Sequence, residues 1–234
     1  DGYYYQNDSD YVEGVIFKNF DKDEIAGSSI LDFGCGSGDA SRVFARNGCK
    51  DVLGIDIGQE NIRHARQICQ ELQSASFLIS DLNSHQLETS RYDLIWSDTT
   101  IELLQKPLAE IVQDLNAALV SGGKLYLSFT EDTVFNRLLY LVLAAIKACR
   151  CQKPFEKVVF YLVKMRYGLA GKQFDEENIR NKLKYLWIPF VRLISERQIK
   201  NVLLQGGFQI QYIRKRDKSD INSPPHLELK AVKG

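Results

Sequence analysis

The sequence predicts an α/β fold: a doubly wound, mostly parallel seven-stranded sheet with helices on both faces and a helical lid insertion. Two observations carry that prediction. In Ser29-Ile30-Leu31-Asp32-Phe33-Gly34-Cys35-Gly36-Ser37-Gly38-Asp39, an apolar run leads into an acid and glycines then alternate. Helix-compatible residues follow from Ala40 to Ala45, the pattern of a buried parallel strand whose tight turn opens a helix. Three further apolar runs, Asp51–Asp56, Ser76–Leu82 and Arg91–Asp98, each finish at a polar or acidic group, with helical spans between them. Strand and helix repeated in this way build a parallel sheet, and its ligands belong at the carboxyl edge.

Taken in order, Asp10 is placed to cap an N-terminal helix bearing Val12, Val15, Ile16 and Phe20 on one side, with Glu13 three residues on. Such a helix packs on the sheet edge or folds over a pocket. Behind the strand Asp51–Asp56, a helix runs from Gln59 through Leu72. After the strand Arg91–Asp98 come a short connection, Thr99–Leu104, and a helix, Lys106–Leu119. Asp93 falls at the strand start, a structural position. Val120-Ser121-Gly122-Gly123 then turns the chain into a fifth strand ending at Phe129. Val134–Ala148 reads as an apolar helix, but Arg137 and Lys147 bracket its core and leave too few residues to span a membrane. Ser195 caps a helix over Ile194–Leu204, and Gly206-Gly207 ends it. Strands Gln209–Arg214 and His226–Val232 close the chain, with Pro224-Pro225 in the loop between them. The expected organisation is one domain: an N-terminal cap (1–28), a ligand-binding core (29–130), a lid insertion (131–194) and a closing helix with two strands (195–234).

Composition narrows the function. At 234 residues the chain is long enough for one sizeable α/β domain. Thirty basic residues balance thirty acidic ones, so bulk charge does not indicate nucleic acid. Between Thr133 and Lys172, however, eight basic residues stand against one acid, Glu156, with aromatics such as Phe135, Tyr140 and Tyr161 interleaved. This stretch is either a lid with solvated lysines or a surface for an anionic partner. The partner could be a carboxylated small molecule, an acidic lipid face, a neighbouring domain or a second copy. No RNA-binding motif accompanies it. The five cysteines are odd in number and lack metal-ligand spacing, which fits free thiols in a reducing, cytoplasmic compartment and no metal.

The glycine loop carries the chemistry. Glycine supplies unusual dihedrals and lets a ligand approach the backbone, and the helix start behind it presents unpaired N–H groups. A dinucleotide site would want a third small residue where Asp39 stands, and a carboxylate there repels a pyrophosphate. A zwitterionic ligand without phosphate fits better. Asp56, twenty residues beyond Gly36, is placed to accept from ribose hydroxyls, or else to cap the following helix.

Asp32-x-Gly34-x-Gly36-x-Gly38 resembles the first motif of the class I S-adenosylmethionine (SAM)-dependent methyltransferases. The Gly122-Gly123-Lys124 junction is similar to that family's, as is the segment Asp98–Leu104, although Leu103 stands where the family often has a histidine. The resemblance covers residues 28–130 well and 194–234 loosely; it does not cover the insertion. It implies SAM as cofactor and S-adenosylhomocysteine as product. Gly34, Gly36 and Gly38 would shape the methionine pocket and Asp56 would hold the ribose, with Asp32, Cys35 and Ile57 also at the cofactor. Asp81 and Leu82 would be at the adenine, and Ser97 at the carboxyl end of the fourth strand. It also implies an antiparallel last strand and an N-terminal segment that closes the site, making Tyr4, Tyr5, Tyr11 and Asp98 candidate substrate contacts.

Absence of an Asp- or Asn-Pro-Pro-Tyr sequence after the fourth strand argues against the nucleic-acid amino-methylating enzymes that carry it. A small-molecule O-methyltransferase, for instance in natural-product biosynthesis, is the first expectation. A carboxylate acceptor is already ionised at neutral pH and needs no base, whereas an alcohol or phenol would need one. Candidate bases are His226, Glu131, Asp98 and Glu102. Alternatives are methylation of nitrogen or carbon, an RNA or protein acceptor, a non-catalytic SAM-binding domain, and an NAD-dependent oxidoreductase.

Overall fold

The computed structural model describes residues 9–169, 176, 190–216 and 225–234. Tyr4 and Tyr5 lie outside them. The elements run α1 (Ser9–Asn19), α2 (Lys22–Ile25), β1 (Ser29–Phe33), α3 (Asp39–Arg46), β2 (Asp51–Asp56), α4 (Gln59–Ile68), β3 (Ala75–Ile79) and β4 (Tyr92–Asp98). A 3-10 turn (Ile101–Leu103), α5 (Leu108–Ala118), β5 (Leu119–Thr130), α6 (Val134–Ala148) and α7 (Gln152–Leu169) follow. Helix α8 (Glu196–Gln205), β6 (Phe208–Lys215) and β7 (His226–Lys233) complete the chain.

The seven strands form one sheet in the order β3-β2-β1-β4-β5-β7-β6. The pairs among the first five are parallel, whereas β7 runs antiparallel to both β5 and β6. The strand order reverses between β1 and β4, so a crevice opens beyond their carboxyl ends, where open α/β sheets bind ligands.

Strand periodicity sends alternate side chains to opposite faces, and both faces are covered. Leu31, Phe33 and Ile95 pack with α5 and α8 residues such as Ile111, Leu115 and Leu203. Ile30, Leu94 and Trp96 pack with Val12, Ile16 and Phe20 from the α1 region and Phe44 of α3. On that second face Trp96 and Tyr126 stack with centroids 4.0 Å apart, and Phe20 meets both rings edge-on. Each fully buried aliphatic or aromatic side chain contributes about 1.5–3 kcal/mol relative to exposure.

The sequence boundaries hold for most elements, with local differences. Helix α1 starts at Ser9, so Asp10 sits in its first turn rather than before it. Helix α4 stops at Ile68 instead of Leu72, because the chain turns there, with Leu72 N–H bonding Cys69 O at 2.8 Å. Strand β3 ends at Ile79 rather than Leu82: the Asp81 side chain accepts from the backbone N–H of Asn83 at 2.9 Å and turns the chain out of the sheet. Asp93 pins the start of β1, accepting from the Ser29 amide at 2.8 Å.

Candidate active site

The first part of the site is the loop between β1 and α3. Gly34, Gly36 and Gly38 all adopt positive φ (82°, 50° and 82°). At Gly38 a Cβ would fall 2.6 Å from that of Ala65, so α3 and α4 approach closely only with glycine there. At Gly36 a Cβ would meet nothing within 4 Å, leaving the loop backbone bare on that side. Cys35 is buried and its amide bonds Ile55 O at 3.0 Å, so it holds the loop to β2.

Asp32 is buried beneath this loop and accepts from the amide and hydroxyl of Ser41, at 3.1 and 2.6 Å. Burial pushes its carboxyl up to about 7 against those two bonds. It therefore fastens β1 to the first turns of α3 and shapes the loop from below. Asp39, which stands where a dinucleotide fingerprint wants a small residue, accepts from Ser37 at 2.7 Å and pairs with Arg42 at 3.2 Å.

At the end of β2, Asp56 is joined directly to the glycine loop: its carboxylate accepts from Gly36 N–H at 3.1 Å. It also accepts from Gly58 N–H at 2.7 Å and from the Asn61 amide at 3.1 Å, which ties it to the start of α4. This carboxylate is half-buried, and the N-cap of α4 is Gly58 rather than Asp56. Ile57 beside it is 66% exposed, an apolar surface at the sheet edge. Asp81 is exposed after β3 and Leu82 is buried; Ser80 N–H bonds Asp56 O at 3.0 Å and brings the two strand ends together. Ser97, at the carboxyl end of β4, is fully buried, and its hydroxyl has no partner among the described residues. A buried orphan hydroxyl is what a polar ligand group satisfies. The bare Gly36 backbone, the Asp56 carboxylate, the exposed Ile57 and this orphan fit a zwitterionic nucleoside without phosphate.

Farther along the edge, Asp98 is held by Arg216, whose Nη2 donates to Asp98 Oδ2 at 2.9 Å while Nη1 donates to Oδ1. Ser128 also donates to Asp98. Burial pushes the Asp98 carboxyl up, but the Arg216 charge and these bonds hold it below the usual carboxylate range. The guanidinium of Arg216 lies 5.7 Å from the Tyr11 ring centre, so two candidate substrate contacts meet through a residue that sequence reasoning did not single out. Tyr11, Val15, Arg216 and Glu228 line a cavity of about 340 Å³ between α1 and the closing strands, and the glycine loop does not line it. The Nε of Arg216 is buried and has no partner among the described residues.

Three other candidates gather around Thr130, the last residue of β5. Glu102 is buried and accepts from the Thr130 amide and hydroxyl at 3.2 and 3.1 Å. Burial pushes its carboxyl up to about 8 against those bonds. His226 Nε2 lies 3.3 Å from the same hydroxyl, and Glu131 follows Thr130 with a buried, unpartnered Oε2. Tyr140 of α6 lies near Thr130, and burial, helped by the Glu102 charge, raises its phenol. Among the described residues no group of three His, Cys, Asp or Glu could hold a metal.

Residues 30–123 match the sequence profile described as a methyltransferase domain. The chain is 30% identical over 96 residues to a malonyl-[acyl-carrier protein] O-methyltransferase of Enterobacter lignolyticus, covering 41% of this chain and 36% of that protein. It is 31% identical over 102 residues to a ribosomal protein L11 methyltransferase of a Caulobacter species, covering 42% of this chain and 34% of that protein. The chain thus spans about a third of the length of these relatives. Magnesium protoporphyrin IX methyltransferase from Synechocystis, solved with bound S-adenosylhomocysteine, is similar in fold with a TM-score of 0.61 at 20% identity, over 97% of this chain and 83% of that one.

Proposed function

We propose that this chain, whose residues 30–123 belong to the S-adenosylmethionine-dependent methyltransferase domain family, transfers a methyl group to an oxygen of a small-molecule acceptor. SAM is its cofactor, and when bound it supplies a sulfonium methyl that is already electrophilic. Gly34–Gly38 would hold the methionine portion, Asp56 the ribose hydroxyls, and Ile57, Asp81 and Leu82 the adenine. Asp32 and Asn61 keep those groups in place from behind.

The observation that carries the oxygen reading is the state of two of the four candidate bases, Asp98 and Glu102. Asp98 is held by Arg216 and stays ionised, with its lone pairs engaged. Glu102 keeps its proton at neutral pH because burial raises it to about 8. Neither is poised to take a proton from an alcohol or amine near pH 7. An acceptor that arrives ionised, such as a carboxylate, needs none. Arg216, with its unpartnered Nε beside the cavity with Tyr11, would attract that anion and set it in line while α1 excludes water. The O-methyltransferase among the relatives supports the same choice.

The test is incubation with methyl-labelled SAM and a host-cell extract, followed by separation into organic-soluble, nucleic-acid and protein fractions. Label in the organic-soluble fraction, in a base-labile methyl ester, is the expected result. Label confined to protein or RNA would overturn the small-molecule reading.

A further inference from the structure

We propose that α6 and α7 form a docking surface for an anionic lipid bilayer. The two helices are amphipathic in an unusual sense: each has a face toward the protein and a second apolar face toward solvent. On α6 the inward positions are Asn136, Tyr140 and Leu143, and Asn136 bonds the carbonyls of Glu131 and Pro225 at 2.7 and 3.1 Å. On the opposite arc Val134, Leu138, Leu141 and Val142 are exposed, Leu141 by 67%. Their spacing of three, four and seven residues makes one continuous stripe.

Helix α7 repeats the arrangement. Phe160 is buried, whereas Val158, Tyr161, Leu162 and Met165 are exposed at one helical face, Met165 by 62%. Lys157, four residues before Tyr161, borders that stripe, Lys153 lies one turn before it, and Lys147 and Arg150 stand at the junction of the two helices. A water-facing surface of this size and composition is not accounted for by packing within the described residues.

Charge identifies the occupant. The chain has no net charge, yet Thr133–Met165 carries six basic residues, of which Arg137 pairs with Asp132, and a single acid, Glu156. A second copy would bring the same positive charge against itself. RNA would be met by the lysines but not by aliphatic side chains that do not stack on bases. A bilayer with acidic headgroups satisfies both features, taking the leucines and Met165 into the acyl boundary and the lysines at the phosphates. No helix among the described residues is long and apolar enough to cross a membrane, so the helices would lie in the interface. Because Tyr140 on the inner face of α6 lies near Thr130, docking would put a lipid-dissolved acceptor one helix away from the polar cluster. That last consequence rests on the methyl-transfer reading; the docking itself does not.

Vesicle sedimentation of the full chain, without SAM, tests the proposal. Binding to phosphatidylcholine–phosphatidylglycerol vesicles, weakening with added salt and much weaker on phosphatidylcholine alone, is expected. Lys153→Gln and Lys157→Gln should each lower partitioning to the anionic vesicles by roughly fivefold. Leu141→Glu with Leu162→Glu should abolish it while leaving thermal unfolding and SAM binding unchanged, since both positions are exposed. A wild-type chain that stays in the supernatant would overturn the proposal. So would variants that bind vesicles as well as wild type, or a salt-stable dimer that the double glutamate variant dissolves.

Discussion

Arg216, directly after β6, grips both carboxylate oxygens of Asp98 at the end of β4, across 118 positions of sequence. The pair ties the antiparallel closing strands to the parallel sheet at its ligand-binding edge. It also fixes the position of the guanidinium beside Tyr11.

Removing one partner leaves the other charge without compensation. Arg216→Ala should lower unfolding free energy by about 2 kcal/mol, less than for a fully buried pair because Asp98 keeps some contact with water. It should also raise KM for an anionic acceptor with little change in SAM affinity. Denaturant titration and steady-state kinetics read the two effects separately. An increase in acceptor affinity would show that Arg216 does not face the acceptor.

The glycine loop predicts a second outcome. A Cβ at Gly34 would lie 2.1 Å from Thr100 Oγ1, and φ there is 82°. Gly34→Ala should therefore cost about 2–4 kcal/mol from left-handed backbone strain and overlap together. SAM binding should be lost with it. Urea unfolding monitored by tryptophan fluorescence measures the first effect, and a wild-type midpoint would contradict the geometry.

Glu102 gives a pH dependence with a definite sign. Its folded carboxyl keeps the proton up to about 8, whereas an unfolded glutamate releases it near 4.3. Between those values the folded chain binds more protons than the unfolded one, so stability falls as pH rises through that window. Asp32, raised to about 7, acts in the same direction. Together the two groups should lower wild-type stability by about 6 kcal/mol between pH 5 and pH 8, more than half of it from Glu102. Glu102→Gln, which can still accept from Thr130, should decline less steeply. Equal slopes in the two proteins would mean that Glu102 is ionised in the fold.

The parallel part of the fold was legible because each strand announces itself locally. Ile30-Leu31, Val52-Leu53 and Leu94-Ile95-Trp96 are apolar on both faces, and β2 and β4 finish at acids, Asp56 and Asp98, where the chain leaves the sheet. The Gly36-to-Asp56 spacing is likewise short-range, and the two residues are hydrogen-bonded at 3.1 Å. The second half of the site was not legible in the same way. Arg216 sits in a basic run, Arg214-Lys215-Arg216, that reads as a solvated strand end; only the antiparallel pairing of β6 and β7 places it at Asp98. Thr130 has no signature either, and its role comes from Glu102, His226 and Tyr140 converging on one hydroxyl.

The most direct measurement is a calorimetric titration of SAM into the wild-type chain and into Asp56→Ala. The carboxylate that bonds Gly36 and Gly58 is placed to accept from the ribose, and charge-assisted hydrogen bonds of that kind contribute about 1.5–3 kcal/mol. Wild type should bind one SAM per chain, and Asp56→Ala should bind it about 10- to 100-fold more weakly. Undiminished affinity in the variant, or a wild-type chain that binds NAD and not SAM, would contradict the assignment of this edge as the cofactor site.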